Sequence, residues 1–319
     1  MSLIEQLRRK IAGKGIVMSE ILVVGSMAYD TISTPEDRVE CTLGGSANYF
    51  SVAASLYAPV NVVGIVGSDY RKEDFDLLSG RSINLEGLKQ VSGKTFHWEG
   101  KYERDMNDAI TLETQLNVFE DFDPELPKSY RKSKFVFLAN INPELQLRVL
   151  DQVEDPIFVG SDTMNFWITS RRSQLADVLR RVDLLLINEG EAQQLTGQRN
   201  TIQAAREIVG MGPRGVVIKR GEYGFVLYAE EQFFILPSFP ISHVVDPTGA
   251  GDTFAGGFFG YLARIGSGWN LSHLKQACMH GCVMASHTVQ GFGLNAIRHL
   301  DWPMIEKRMA EYRTVVSHH

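Results

Sequence analysis

Two carboxylates, Asp246 and Asp252, bracket a turn of small residues in Asp246-Pro-Thr-Gly-Ala-Gly-Asp-Thr-Phe254. An apolar run ends at Asp246, Pro247 stops its simple continuation, and Gly249 and Gly251 permit positive φ before a helical pattern begins near Thr253. The stretch predicts a strand, a glycine turn and a helix N-terminus. At such a helix start the amides of Gly249, Ala250, Gly251 and Asp252 lack intrahelical partners and converge, with the positive end of the helix dipole, on one point. An anion fits there. Asp252, beside that point, can take a proton from an attacking hydroxyl, although a carboxylate at a helix N-terminus is expected to have a depressed pKa. The plainer alternative makes the glycines packing residues and Asp252 an N-cap, since Phe254, Phe258, Tyr261, Leu262 and Ile265 mark a buried helix face. Gly256, Gly257 and Gly260 read as packing glycines on either view.

The nine-residue run closely resembles the C-terminal signature of the ribokinase-like (PfkB) carbohydrate kinases. The resemblance implies that Asp252 is the catalytic base, that the amides of Gly249, Ala250 and Gly251 hold a transferred phosphoryl group, and that ATP and Mg²⁺ take part. Leu43-Gly44-Gly45-Ser-Ala-Asn48 is similar to the family's N-terminal signature. There the glycine pair implies a substrate lying against backbone, and Asn48 a group that binds a hydroxyl. The family spacing leaves three residues between the pair and its Asn, whereas this chain leaves two. Asp30 follows the apolar strand Ile21-Leu-Val-Val-Gly25, and the resemblance implies that it grips substrate hydroxyls; as a plain residue it is a loop Asp capping a turn. Asn140, at another strand end, joins it as a substrate-binding candidate.

Asn188-Glu-Gly-Glu191 matches the family's Asn-x-x-Glu motif, implying that Asn188 lies near the nucleotide and that Glu191 organises Mg²⁺ through water. An Asn and a Glu opening a helix are also ordinary N-terminal residues. Lys219-Arg220-Gly221, followed by Gly224, resembles the strand and turn along the nucleotide, and Gly281 and Gly291 would complete the adenine side. Asp246 stands where potassium-activated relatives place a ligand, implying a candidate K⁺ site.

These residues need a frame that brings strand ends together. After Pro127 the apolar segments at 135–138, 157–159, 184–187 and 216–218 alternate with helical patterns at 144–149, 174–179 and 202–209. Regular alternation predicts a parallel sheet covered on both faces. Polar residues at four strand ends, Asn140, Asp162, Asn188 and Lys219, fall where open α/β sheets bind ligands. From Lys94 to Val118 the pattern changes to period-two alternation broken at Arg104 to Asp108, which predicts an exposed hairpin. With residues 31–43 it would form a small sheet, which the resemblance implies is a lid over the substrate and a contact for a homodimer. The expected architecture is a three-layer α/β/α ribokinase-like fold, mostly parallel, with a small β-sheet lid. A helical preface over 1–18 precedes a kinase domain over 19–319, with lid segments at 31–43 and 94–118 inserted.

The 319 residues, 44% hydrophobic and 22% charged, supply a globular core. A net charge of −6 leaves no basic excess for a nucleic-acid polymer. No apolar run approaches a bilayer span, and the first residues lack the apolar core of a signal peptide, so the expected location is the cytoplasm, away from any membrane. Of the three cysteines, Cys278 and Cys282 read as buried small apolar residues. A P-loop is absent, as are the protein-kinase motifs. The leading expectation is an ATP-dependent kinase of a small sugar-like alcohol. The alternatives are a nucleoside kinase and, from another class, a nucleotide-binding sensor without turnover.

Overall fold

The computed structural model describes residues 19–104, 106 and 109–317; the expected preface over 1–18 lies outside them. The chain runs β1 (Ile21–Val24), β2 (Ala28–Ser33), β3 (Arg38–Gly44), β4 (Val60–Gly67), β5 (Ile83–Val91), β6 (Phe96–Tyr102) and β7 (Ala109–Gln115). It continues through β8 (Phe135–Leu138), β9 (Phe158–Ser161), β10 (Leu184–Asn188), β11 (Gly215–Lys219), β12 (Phe225–Ala229) and β13 (Gln232–Leu236). Nine strands form one sheet in the order β13-β12-β11-β10-β9-β8-β1-β4-β5, parallel from β11 to β5 and antiparallel along β11-β12-β13.

The apolar runs make central strands because both faces are covered. Ile21 and Val23 pack with the helices Ser46–Ala54, Ala250–Ile265 and Leu271–Thr288, whereas Leu22 and Val24 join a second cluster with Val136, Leu138 and Val149. Farther along, Leu184 and Leu186 face the first cluster, and Leu185 and Ile187 face a third with Leu175, Ala204 and Ile208. Period two thus persists inside strands that look uniformly apolar. The expected packing glycines serve the first layer: a Cβ at Gly256 would press on Phe50 and Ala53, at Gly257 on His280 and Met284, and at Gly260 on Tyr57.

A second sheet of four strands, in the order β3-β2-β6-β7, stands apart as a lid. Strand β2 begins outside the main sheet after only three residues, 25–27, beyond β1 and pairs parallel with β6. Asp30 is therefore a strand residue at the lid's base rather than a loop residue. The hairpin β2–β3 reaches the body through Glu36, whose carboxylate is 3.3 Å from His243. On the other side Tyr102, the last residue of β6, accepts a hydrogen bond from Thr248 Oγ1 at 3.1 Å.

Candidate active site

The turn between Val245 and the helix Ala250–Ile265 follows its sequence closely. Gly249 is its N-cap with φ +72, and a Cβ there would collide with the ring of Tyr49. Only glycine fits that conformation and that contact. Ala250 N donates to Pro247 O at 3.1 Å, closing the turn. The expectation that all four amides stay open is corrected at Ala250, leaving the first-turn amides beyond it to project from the helix start. Asp246 is fully buried; its carboxylate accepts from Thr248 N at 2.8 Å and from Gly293 N at 3.1 Å. Its described partners make it a strut that holds the turn against the loop after the helix Leu271–Thr288.

Three strand ends deliver charge to this turn. Lys219, closing β11, places Nζ 3.1 Å from Asp162 Oδ2, and a Cβ on Gly251 would lie 2.9 Å from the same nitrogen. The ammonium thus stands at the helix N-terminus. Asp162 follows β9, and Glu191 opens the helix Glu189–Thr196. Glu191 Oε2 accepts from Asn188 N at 3.0 Å while Asn188 Oδ1 accepts from Glu191 N at 2.7 Å, a reciprocal capping box. The ordinary helix-start reading of these two residues is therefore correct as far as it goes, and the same geometry turns Glu191 toward Asp162, Lys219 and Asp252.

The electrostatics of the cluster reverse one expectation. The carboxyl of Asp252 is pushed up to about 7 by burial and by the charge of Asp162, with Lys219 opposing. The helix terminus lowers a carboxyl pKa, but only partial charge resides there, and desolvation beside a second carboxylate outweighs it. Glu191 is likewise raised to about 7, by burial and then Asp162, against the lowering by Lys219. Lys219 keeps a raised pKa because Asp162, Glu191 and Asp252 together overcome the effect of its burial. A carboxyl near 7 is poised to take a proton at neutral pH.

Asp30 forms a second centre. It is 4% exposed, lies in register with Trp98 and Thr42, and packs so closely on Gly44 that any side chain at 44 would overlap its carboxylate. Burial and then the charge of Asp246 push its pKa up to about 8, with Asp252 adding to the rise. Gly45, at φ +90, starts the next helix. Asn48 is turned away: it is fully buried, donates to Gly44 O at 2.7 Å and accepts from Tyr70 at 3.5 Å. Asn140 accepts from Trp167 Nε1, in the helix Asn165–Ser170, at 3.0 Å, and donates to Met164 Sδ at 3.2 Å.

On the other side of the turn opens a cleft of about 400 Å³, lined by Asn188, Lys219, Gly221, Gly224, Ala250 and Gly251 at its polar end. Phe225, Phe239, Ile241, Val244, Phe254, Cys282 and Val289 supply apolar walls. Cys282 and Cys278 are both buried free thiols. Arg220 is held aside by Glu189 at 2.9 Å. Gly281 faces Phe254 between two helices, and Gly291 packs on Ala296; the cleft wall there belongs instead to Ala285, Ser286 and Val289. The segment 237–247, which has no regular period, was not anticipated as a wall, and Asp162 was read only as a polar strand end.

A helix-start turn with a lysine and a carboxylate of pKa near 7, beside a cleft and near a buried Asp at the base of the lid, has the groups that phosphoryl transfer to a hydroxyl requires. Residues 18–299 match the pfkB family carbohydrate kinases, and the chain belongs to that family. A cytidine kinase of Thermococcus kodakarensis is 32% identical over 253 residues, covering 77% of this chain and 90% of that protein. A nucleoside kinase of Methanocaldococcus jannaschii is 21% identical over 314 residues, covering 93% and 98%. Its crystal structure shares the fold with a TM-score of 0.73 at 19% identity, over 92% of this chain and 99% of that one. A putative ribokinase II from E. coli, in complex with ATP and Mg²⁺, superposes with a TM-score of 0.74 at 17% identity over 92% and 99%.

The carboxylate cluster fits a hard divalent cation in one respect: its carboxylate donors are oxygens, and two of its acids are raised by burial and by the charge of Asp162, which a bound cation would offset. Among the described residues no group of three His, Cys, Asp or Glu side chains is close enough to hold a metal alone. Water and phosphate oxygens would have to complete its shell. Among the same residues no helix is long and apolar enough to cross a membrane.

Proposed function

We propose that this kinase phosphorylates a nucleoside, taking the γ-phosphoryl group from ATP. The observation that carries this reading is the 32% identity to a cytidine kinase along 90% of that protein. It favours the nucleoside alternative over the simple sugar that the motifs alone suggested. The lid supports it, because Trp98, half-buried and in register with Asp30, offers a flat apolar face on the side where Asp30 would hold ribosyl hydroxyls.

In this reading the triphosphate lies along the cleft with its γ-phosphate at Gly251 and Lys219. The acceptor oxygen forms a bond to γ-phosphorus as the bond to the β,γ-bridging oxygen breaks; the electron pair leaves with ADP and the hydroxyl proton passes to Asp252. Amides of the turn and the Lys219 ammonium face the oxygens that carry charge through the transfer. Asp162 holds Lys219 in place. Glu191, with Asp162, would hold Mg²⁺ through water, and the bound ion would offset phosphate charge.

The test is a panel of cytidine, uridine, adenosine, inosine and ribose, each followed by ADP release at saturating Mg-ATP. A pyrimidine or purine nucleoside should give the highest kcat/KM. Ribose turned over as well as or better than every nucleoside would overturn the reading.

Asp30→Ala should raise the acceptor KM while leaving the KM for ATP nearly unchanged, because Asp30 and the nucleotide cleft lie on opposite sides of the turn. Losing a buried charge-assisted hydrogen bond costs about 1.5–3 kcal/mol, or roughly 10–150-fold in KM. Steady-state kinetics in both substrates checks the split, and a rise in ATP KM instead would reverse the placement of the two half-sites.

A further inference from the structure

Next to Asn48, about a quarter turn around the same helix, stands Tyr49. Its ring covers Gly249, so closely that the glycine can carry no side chain, and Tyr49 is 1% exposed. No described residue hydrogen-bonds its hydroxyl. A buried hydroxyl without a partner is costly, and phenylalanine would fill the same space without that cost. The groups whose charges reach the phenol are Asp30, Asp246, Tyr102 and Asp252, in decreasing order, and with burial they hold its pKa well above the usual value. It therefore remains a neutral donor at every pH at which the enzyme works. Asp30 is the acceptor-side carboxylate, Asp252 the proton acceptor, and Tyr102 the lid residue tied to Thr248. The phenol stands among all three.

We propose that the Tyr49 hydroxyl is a specificity-determining group that donates a hydrogen bond to a ribosyl oxygen of the acceptor, between Asp30 and the catalytic turn. The proposal deepens the nucleoside reading and rests on it. Its physical content is a division of labour: Asp30 gives up its donor when it ionises and then only accepts, while Tyr49 supplies a donor that stays protonated throughout. Because the ring is clamped on Gly249, the donor is fixed relative to the turn, and an acceptor that satisfies it is held in line with the transfer. An acceptor lacking that oxygen leaves the phenol unpaired, so the discrimination is larger than one contact in water would give.

Tyr49→Phe keeps the ring on Gly249 and removes only the donor. The expected result is a fall of about 10–100-fold in kcat/KM for the acceptor, with the KM for ATP within about twofold and an unchanged or higher melting temperature. A purely structural role for the hydroxyl would lower the melting temperature and leave the acceptor alone. The decisive measurement pairs this variant with 2′-deoxy and 3′-deoxy forms of the best nucleoside. For one of them, wild type and Tyr49→Phe should have equal kcat/KM, because the oxygen that Tyr49 contacts is already gone. An acceptor kcat/KM that moves less than twofold, or identical discrimination against both deoxy forms before and after substitution, would overturn the proposal. Should ribose be turned over and nucleosides not, the nucleoside reading falls by itself, and the same variant with ribose and its deoxy forms still decides the role of Tyr49.

Discussion

Asp252→Asn is expected to lower kcat by about 10²–10⁴ while leaving the affinity for ATP within a few-fold. Asparagine keeps the shape at the third position of the helix and disturbs neither Gly249 nor the amides, so the loss isolates proton acceptance. In a loose phosphoryl-transfer transition state the acceptor oxygen becomes acidic late, so a base need only be in place and unprotonated when the new bond forms. The raised pKa near 7 then gives the wild type a signature. The useful form is the ionised one, so kcat should rise with pH through about 7 and fall about tenfold per unit well below it. Glu191 titrates in the same range, so the limb belongs to the pair. In Asp252→Asn the limb should flatten. A kcat within tenfold of wild type, with an acceptor in hand, would make Asp252 a cap and place the base elsewhere.

The second large effect is expected from Lys219→Met, which leaves Asp162, Glu191 and Asp252 around an apolar side chain. Removing one partner of a buried ion pair costs about 3–5 kcal/mol, and losing a preorganised positive group at the moving phosphoryl costs about 10²–10³ in kcat. The stability loss should depend on pH in a definite direction. An acid whose folded-state pKa is raised holds its proton more tightly when folded, so its burial is harmless at low pH and costs stability as pH climbs from about 4 toward the raised value. Glu191 and Asp252 already rise to about 7, and without Lys219 both must rise further. The variant should therefore melt well below wild type at pH 8 and close to it at pH 5. Lys219→Met with Asp162→Asn should recover much of the melting temperature at pH 8 and none of the turnover. Recovery of both would show that Lys219 serves only to neutralise Asp162.

What the sequence made legible follows from how local each feature is. The catalytic turn was readable because proline, glycine and aspartate constrain their own backbone, and the central strands because burial on both faces demands continuous apolar residues. The hairpin joining β12 to β13 was not: Glu230 and Glu231 both take positive φ, a conformation that glycine or asparagine usually announces. Asn48 carried the expected chemistry, but the phase of the helix after Gly45 turns it inward to Gly44 and brings Tyr49 to the turn. One residue of helix rotates a side chain by about a quarter turn, and no composition or spacing reveals which neighbour wins. The pairing of Asp162 with Lys219 and the shifted pKa of Asp252 were illegible for a related reason, since both depend on distances between residues far apart in the chain. Gly281, read as part of the nucleotide site, belongs to helix packing, where glycine is equally at home.

The hydrogen bond between Thr248 and Tyr102 links the lid to the residue that precedes Gly249. Water is also a hydroxyl acceptor, and a kinase whose base and phosphoryl site stood ready in an open cleft would hydrolyse ATP between encounters with its substrate. Any displacement of the lid from the body would break the Thr248 contact at the turn itself, so that one bond would tie the order of the turn to the cover above it. Acceptor-independent ATP hydrolysis measured with and without the Tyr102 hydroxyl would then read out how far this one contact keeps the turn from working on water.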